Sequence, residues 1–264
     1  MRGVLTMCRL VAYTGAPVFL DTLLVHPPSS LIAQSHHARE AKTVVNGDGC
    51  GIGWYGERPE PGLYRGTLPA WSDANLVSLC TQLRSRLFMA HVRSATFGEV
   101  ATANCHPFGL GPHLFMHNGQ IGGYASIRRR VDALIPDALY TLRRGTSDSE
   151  ALFLAAVGRG LAERPVAAIA ETLRAVLGEM REAGIDRPLR MSAVHSDGST
   201  VQAVRWASDG RCPSLYWRRL EQGSVIASEP FDEDVAHWRE IPPGSALRLA
   251  ADGTMTLSPF APAD

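Results

Sequence analysis

The sequence has almost no lysine, no long apolar run and no net charge. Lys42 is the one lysine among 264 residues, and the basic total of 26 equals the acidic total. Balanced charge gives no electrostatic attraction to nucleic acid or anionic lipid. No segment approaches the roughly 18 apolar residues of a membrane helix, and Met1–Thr6 is too short for a secretory signal. We therefore expect a cytoplasmic protein that binds neither nucleic acid nor membrane.

The cysteines and histidines lack the spacing of a structural framework. The five cysteines are Cys8, Cys50, Cys80, Cys105 and Cys212, an odd number without a C-x-x-C pair. This pattern argues against a disulfide framework and against a structural zinc site. The nine histidines include no pair at helical i, i+4 spacing with an acidic residue between. The sequence therefore predicts no metal and no cofactor.

Two common catalytic signatures are also missing. The glycine-rich stretch Asn46–Gly53 lacks the Gly-Lys-Ser/Thr ending of a phosphate-binding loop and leads into an apolar strand. No Gly-x-Ser-x-Gly elbow occurs anywhere in the chain. Phosphate cradling and serine-hydrolase chemistry are therefore not indicated.

Apolar patterning predicts strands at both ends of the chain and helices between them. The predicted strands are Arg9–Tyr13, Ile52–Tyr55, Leu87–Val92, Leu114–His117, Met191–His195, Val201–Trp206, Leu215–Trp217, Val225–Ala227, Ala246–Leu249 and Met255–Leu257. One helix follows the candidate cap Ser72, one follows the capping box Ser147–Glu150, and one covers Pro165–Met180. This order favours an α+β fold of two sheets with helices outside them.

Cys8 directly follows Met7 at the start of the first predicted strand. If Met7 is removed, Cys8 carries a free α-amine, whose pKa of about 7.7–8 lets it accept the thiol proton near neutral pH. We therefore divide the chain into an N-terminal extension or pro-segment, residues 1–7, and a single domain, residues 8–264. The alternative is that Cys8 is a small core residue at the head of a buried strand.

Four polar clusters end apolar runs, and such ends can converge at one edge of a sandwich. They are Asn46–Gly49, His91–Thr96, His117–Gly119 and Thr146–Asp148. Arg93 can fork onto a carboxylate, and Asp148 can pair with an ammonium group. Asn118 and the Gly119 N–H can donate to a tetrahedral oxyanion. With Cys8 these groups suit an α-amino acid with an acylated side chain; taken singly, Asp148 could cap a helix and Arg93 could form a surface ion pair.

In order and spacing, a set of motifs resembles the class II, N-terminal-nucleophile glutamine amidotransferases. They are Met7–Arg9, Asp48–Trp54, His91–Thr96, His106–Phe108, His117–Gly119 and Thr146–Asp148, with Ala227–Pro230 and Ile241–Gly244 resembling the stand-alone members. The resemblance implies a four-layer αββα sandwich of two antiparallel sheets. It also implies that Cys8 attacks a γ-carboxamide to form a γ-glutamyl thioester, which water then hydrolyses.

The resemblance also implies roles for single residues. Arg93 matches the residue that holds the α-carboxylate of the substrate, and Asp148 matches the one that holds its α-ammonium group. Asn118 and Gly119 match the oxyanion hole. Together with Cys8 they form the predicted catalytic and binding centre.

Further positions complete the predicted site or depart from the family. Thr96 and Gly47–Gly49 resemble the pocket wall, and Arg9 matches an arginine next to the nucleophile. Thr96 and Arg9 are therefore counted with the substrate-binding residues. Cys50 stands where such members carry an aromatic residue, which either widens the pocket wall or alters packing.

Within the family, the chain most resembles short enzymes that remove a γ-glutamyl group in ergothioneine assembly. The stretch Arg93–Gly98 and the single-domain length carry this resemblance. We predict a cysteine amidohydrolase that cuts the γ-amide of glutamine or of a γ-glutamylated small molecule. Two alternatives stay open. One is a glutaminase subunit that supplies ammonia to a separate synthase, and the other is a non-catalytic γ-glutamyl binder whose Cys8 is blocked. A small-molecule substrate is the expected partner, with a synthase or a second copy of the chain left open.

Overall fold

The computed structural model describes residues 8–38, 45–95 and 99–262. The predicted extension, residues 1–7, and the predicted pocket-wall residue Thr96 lie outside these ranges. Among the described helices, none is both long enough and apolar enough to cross a membrane.

Strands and helices alternate along the chain. The strands are β1 (Arg9–Phe19), β2 (Cys50–Trp54), β3 (Gly62–Gly66), β4 (Arg84–Val92), β5 (Phe108–Leu110), β6 (His113–Gln120), β7 (Arg190–Ser196), β8 (Thr200–Ala207), β9 (Tyr216–Leu220), β10 (Gly223–Ala227), β11 (Arg239–Glu240), β12 (Ser245–Ala250) and β13 (Met255–Pro259). The helices are α1 (Asp21–Leu24), α2 (Leu31–His36), α3 (Ala74–Gln82), α4 (Tyr124–Asp132), α5 (Asp137–Tyr140), α6 (Asp148–Val157) and α7 (Pro165–Glu182). Short 3₁₀ turns cover Ala70–Ser72, Thr102–Asn104 and Val235–His237.

The strands form two antiparallel sheets. One has the order β11-β9-β10-β1-β4-β2-β3, and the other has the order β13-β12-β8-β7-β6-β5. In the first sheet β1 lies between β10 and β4, and Arg9 pairs with Val92. Because antiparallel partners run in opposite directions, the start of β1 and the end of β4 meet at one edge. Cys8 therefore lies beside the segment that follows Val92.

Side-chain alternation assigns the layers. Leu10 of β1 faces an apolar interior between the two sheets, which it shares with Met116 of β6. The next residue, Val11, faces the opposite side and packs with apolar residues of α1, α2 and α3. Phe115 of β6 faces away from the inter-sheet core and packs with α4, α6 and α7. The order helices, sheet, sheet, helices is the four-layer αββα sandwich, so the predicted α+β class is confirmed.

Most predicted elements occur, and the differences have local causes. The Ser147 hydroxyl accepts a hydrogen bond from the Glu150 N–H at 3.3 Å, which confirms the predicted cap of α6. The predicted cap Ser72 is wrong, because Ser72 ends a 3₁₀ turn and Asp73 caps α3 through its bond from the Leu76 N–H at 3.1 Å. The prediction also misses β3, β5 and β11, which are short or bounded by glycine.

The end of β6 is also placed wrongly by the sequence pattern. Asn118 and Gly119 do not end the strand, because β6 continues to Gln120 and pairs with β7 over Asn118–Gln120. A glycine at this point allows the strand to continue with a backbone that other residues rarely adopt. The oxyanion candidates therefore sit on a sheet and not on a free loop.

Candidate active site

The Cys8 thiol lies against the backbone that follows β4. The Ser94 N–H donates to Cys8 Sγ at 3.3 Å, and Sγ lies 3.5 Å from the Ser94 carbonyl oxygen. Burial raises the pKa of the Cys8 thiol, and the Ser94 hydrogen bond and the charges of Arg93 and Arg9 only partly oppose it. A thiol with a raised pKa is protonated at neutral pH. Attack by Cys8 therefore requires a proton acceptor.

Two side chains hold the Cys8 carbonyl group. Asn118 Nδ2 donates to this oxygen at 2.7 Å, and Arg9 Nη1 donates to it at 3.2 Å. On the other side of the amide, His91 Nε2 lies 3.3 Å from Asn118 Oδ1. A carbonyl oxygen only accepts, so the amide nitrogen of Asn118 must face Cys8 and its oxygen must face His91. The second N–H of Asn118 remains available for another acceptor.

Gly119 occupies a position that requires glycine. Its φ is +145°, and a Cβ placed on it would collide with the Arg190 carbonyl oxygen across the sheet. No side chain can therefore project from this residue beside Asn118. The predicted oxyanion pair lies on β6, directly next to the strand that supplies Arg190.

Asp148 is held at the first turn of α6. Its Oδ2 accepts a hydrogen bond from the Ile121 N–H at 2.9 Å, and the Ser149 hydroxyl lies 3.3 Å from its Oδ1. Ser147, not Asp148, caps the helix, so the alternative role of Asp148 as the cap is wrong. The half-buried carboxylate faces a cleft of about 200 Å³ that is also lined by Gln120 and Arg187. Its negative charge also acts on Cys8 and raises the pKa of that thiol.

Arg93 lies between β4 and the glycine-rich loop. Its backbone exchanges hydrogen bonds with that loop, from the Asp48 N–H at 3.0 Å and to the Gly49 carbonyl at 2.8 Å. Its guanidinium donates to the Glu99 carbonyl at 3.2 Å. Arg93 is only 4% exposed, which does not fit a surface ion pair. The Asp48 carboxylate accepts from the Ala95 N–H at 2.8 Å, so this loop also fixes the segment next to the thiol.

Three buried imidazoles lie behind the site and stay neutral. Burial lowers the pKa of His91 to about 3, and the nearby positive charge of Arg93 acts in the same direction. Burial also lowers the pKa of His106 and of His117. The ring of His106 packs on that of His91 at 4.2 Å, while His117 bonds to the Ser149 hydroxyl at 2.9 Å. These histidines are poor proton acceptors near neutral pH.

Arg9 and Cys50 both lie in the interior of the protein. Arg9 is fully buried, and its Nε lies 3.2 Å from Glu229 Oε2, so the structure places its guanidinium behind Cys8. Cys50 is also buried and belongs to the core between the first sheet and its helices. Its Sγ lies 3.6 Å from the Leu68 carbonyl, so the departure at Cys50 alters packing and not the pocket wall.

Sequence reasoning missed three residues that contact Cys8 or its neighbours in the candidate site. They are Ser94, Ser149 and Glu229. Ser94 lies in the motif His91–Thr96, and Ser149 lies in the capping box Ser147–Glu150. Both could therefore have been found from their neighbours in the sequence. Glu229 lies in the later motif Ala227–Pro230, whose position along the chain gives no indication of contact with Arg9. Among the residues that the structure describes, no three His, Cys, Asp or Glu side chains are grouped as metal ligands.

Comparisons with known proteins show which family the chain belongs to. Residues 25–209 match the family described as class-II glutamine amidotransferases. A γ-glutamyl-hercynylcysteine sulfoxide hydrolase from Mycolicibacterium smegmatis is 33% identical, covering 89% of this chain and 92% of its own. A protein named as a probable glutamine amidotransferase from Saccharomyces cerevisiae is 29% identical, covering 96% and 84%.

Solved structures show the same relationship. A glutamine aminotransferase class-II domain protein from Silicibacter pomeroyi is 36% identical with a TM-score of 0.75, covering 96% of this chain and all of its own. The glutamine phosphoribosylpyrophosphate amidotransferase of B. subtilis shares the fold alone, at 15% identity and a TM-score of 0.65, and this chain covers 49% of it. Half of the chain and more thus matches one family of enzymes. The chain belongs to the class II glutamine amidotransferases and has their N-terminal-nucleophile hydrolase fold.

Proposed function

We propose that this enzyme is a cysteine amidohydrolase that cleaves the γ-amide of a γ-glutamylated small molecule or of glutamine. The observation that carries the proposal is the placement of Cys8 Sγ against Ser94, with Asn118 2.7 Å from the Cys8 carbonyl. This puts an amide donor on the residue that carries the thiol. The γ-glutamyl hydrolase from Mycolicibacterium smegmatis, at 33% identity, supports the substrate class.

Substrate recognition uses two opposite charges. In this proposal the Arg93 guanidinium holds the α-carboxylate and the Asp148 carboxylate holds the α-ammonium group. Both charges act on the Cys8 thiol, Arg93 lowering its pKa and Asp148 raising it. Arg9 is fully buried, so we assign it to positioning Cys8 and not to substrate contact.

The reaction proceeds in two stages. In the first, the α-amine of a mature Cys8 accepts the thiol proton while Sγ forms a bond to the γ-carbonyl carbon. The second N–H of Asn118 and the Gly119 N–H stabilise the oxyanion. The intermediate collapses, the C–N bond breaks, and the leaving amine takes the proton from the Cys8 ammonium group. In the second stage water attacks the γ-glutamyl thioester, and glutamate leaves as the thiol is restored.

The base assignment follows from the buried histidines. His91 points its Nε2 at Asn118, and burial lowers its pKa to about 3. The hydrogen-bond partners of Cys8 Sγ among the described residues are both on Ser94. An α-amine is therefore the best available base, which requires removal of residues 1–7 from a domain of residues 8–264. Terminal sequencing of the protein from its own host should find Cys8 as the first residue.

The test compares two forms of the protein on two substrates. One form is expressed from Met7, and the other carries an uncleavable Met1–Thr6 segment. We expect the first form to hydrolyse the γ-glutamyl amide of an amine that contains a thioether faster than it hydrolyses L-glutamine. The second form should be nearly inactive on both substrates. Equal rates, with the segment intact by mass spectrometry, would exclude the α-amine as the base. No hydrolysis by either form would leave the non-catalytic binder.

The glutaminase alternative makes a different prediction. A subunit that feeds ammonia to a synthase should release ammonia from L-glutamine and gain activity when its partner is added. The hydrolase should act alone, and its localisation in the cytoplasm would give it access to γ-glutamyl metabolites. Assay of the isolated protein on both substrates therefore separates the two functions.

A further inference from the structure

A fully buried ion pair lies directly behind the nucleophile. Arg9 is 0% exposed and Glu229 is 2% exposed, and Arg9 Nε lies 3.2 Å from Glu229 Oε2. Removing two charges from water costs several kcal/mol per ion, which their attraction often only repays. A buried pair is therefore weak evidence for stability. Its position next to Cys8 points to a role in the site.

The segment that carries Glu229 is fastened to the first residues of β1. The Leu10 N–H donates to the Ser228 hydroxyl at 3.0 Å, and the Ser228 N–H donates to the Leu10 carbonyl at 3.0 Å. The Gln34 side chain also donates to the Glu229 carbonyl, at 3.5 Å. The carboxylate is thus presented to Arg9 from a backbone that is itself fixed to the strand of the nucleophile.

The other side of Arg9 reaches the nucleophile. Its Nη1 donates to the Cys8 carbonyl at 3.2 Å, and Asn118 Nδ2 donates to the same oxygen at 2.7 Å. Two donors occupy the two lone pairs of that oxygen. If Cys8 is the first residue of the mature chain, the Cα atom that carries its thiol and α-amine is joined to the rest of the protein only through this carbonyl. Fixing the carbonyl therefore limits the directions open to the thiol and the α-amine.

We propose that Glu229 is a positioning residue for the reaction, because its carboxylate holds Arg9 so that Arg9 and Asn118 together orient Cys8. This inference rests on the proposed amidohydrolase function. It also has an electrostatic consequence, because the carboxylate partly cancels the positive charge of Arg9. The charged groups that act on Cys8 are Arg93, Arg9 and Asp148. Without Glu229 the positive field at Cys8 becomes stronger.

The primary test is Glu229→Gln in protein that starts at Cys8. The amide keeps the shape of the carboxylate but loses its charge. We expect kcat on a γ-glutamyl substrate to fall on the order of tenfold, because small misplacements of reacting groups are costly. KM should stay within about twofold, since Glu229 does not contact the substrate. Alkylation of Cys8, followed by peptide mass spectrometry, should show its midpoint at lower pH than in the wild type.

Two further variants serve as controls. Asp232 lies three residues after Glu229 and is one of two carboxylates paired with the partly buried Arg218 of β9, at 2.6 Å, and Asp232→Asn removes this charge. It should leave kcat and the alkylation midpoint unchanged. The double variant Arg9→Met with Glu229→Met replaces the pair by apolar side chains that can pack in its place. It should fold and have a kcat as low as that of the single Glu229 variant.

The outcomes separate this inference from the proposed function. Wild-type kcat and an unshifted alkylation midpoint in folded Glu229→Gln would overturn it. A raised KM with unchanged kcat would also overturn it. If Glu229→Gln does not fold, a wild-type kcat in the double variant would also overturn the inference. Failure of the proposed function would appear instead as absent hydrolysis by the wild type, or as full activity of Cys8→Ala in the same assay.

Discussion

At the scale of single residues, the reactivity of Cys8 depends on a proton acceptor. Burial raises the pKa of its thiol, and its hydrogen-bond partners among the described residues are the backbone groups of Ser94. The thiol is thus oriented but not ionised. The Cys8 carbonyl oxygen accepts from Arg9 Nη1 and from one N–H of Asn118. We assign the second N–H of Asn118 to the substrate oxyanion.

We expect Cys8→Ala to abolish γ-glutamyl hydrolysis while the fold is retained, because it removes the nucleophile and little buried volume. Cys8→Ser should keep only a trace of activity, since a hydroxyl is a weaker nucleophile with a higher pKa. Steady-state assays and circular dichroism of both variants measure the two effects. Full turnover by folded Cys8→Ala would end the amidohydrolase proposal.

Substitutions at the two charged recognition residues should act mainly on binding. Asp148→Asn and Arg93→Lys weaken contacts that are present in both the ground and transition states, so KM should rise more than kcat falls. The loss of a charge-assisted contact should lower kcat/KM by a factor that corresponds to about 2–4 kcal/mol of transition-state stabilisation. The matched measurement uses substrates that lack the α-amine or the α-carboxylate. Equal cleavage of those substrates by the wild type would show that these roles are misassigned.

Gly119 should tolerate no side chain. In Gly119→Ala the new Cβ must move away from the Arg190 carbonyl or change the backbone of β6, and a strained backbone costs about 1–3 kcal/mol. We expect a lower unfolding free energy and a much lower kcat, because the adjacent Asn118 shifts. Gly111→Ala is a control at a glycine with positive φ in open space. It should lower stability without a change in kcat.

At the scale of elements, the helix ends depend on particular side chains. The Asp73 carboxylate accepts from the Leu76 N–H at 3.1 Å and from the Tyr64 hydroxyl at 2.6 Å. Ser72, one residue earlier, is exposed and bonds back to the Pro69 carbonyl. The start of α3 is therefore set by Asp73, although both residue types are common caps.

These neighbouring residues give a direct test of the cap of α3. Asp73→Ala should lower the unfolding free energy by about 1–3 kcal/mol, because it leaves a helix N–H and a partly buried hydroxyl without their partner. Ser72→Ala should change it by less than about 0.5 kcal/mol, as expected for an exposed site. Urea unfolding measures both. A larger loss in Ser72→Ala than in Asp73→Ala would contradict this assignment.

At the scale of the whole molecule, buried neutral histidines couple stability to pH. Burial lowers the pKa of His91 and of His195 to about 3, below the value of about 6.5 for an unfolded chain. The unfolded state therefore binds more protons as the pH falls below 6.5. Their stabilising contribution is fully present above that pH and is lost as the pH falls toward 3.

We expect the unfolding free energy to drop by about 2 kcal/mol for each of these two histidines between pH 7 and pH 5. His195 lies on β7 beside His113, with ring nitrogens 3.1 Å apart. In His195→Gln the difference in unfolding free energy between pH 7 and pH 5 should shrink by about 2 kcal/mol. The largely exposed His26 is a control, and His26→Gln should leave the difference unchanged. Urea unfolding at both pH values provides the measurement.

The sequence by itself determined the features that rest on local pattern. The apolar runs of β1 and β6, the capping box at Ser147 and the order of the polar motifs all follow from residues close together in the chain. They predicted the α+β class and the set Cys8, Asn118 and Gly119. The same local signals could not choose between Ser72 and Asp73, because caps of both kinds look alike until the helix is placed.

Only the tertiary structure decided which distant residues meet. Leu10 bonds to Ser228 across 218 positions of the chain, and this contact brings Glu229 to Arg9 behind the nucleophile. It placed Arg9 in the interior and decided between the two readings of Cys50 in favour of packing in the core. An isolated glutamate carries no periodic signal for its partner. Its pairing depends on strand order and burial, which are properties of the packed sheets.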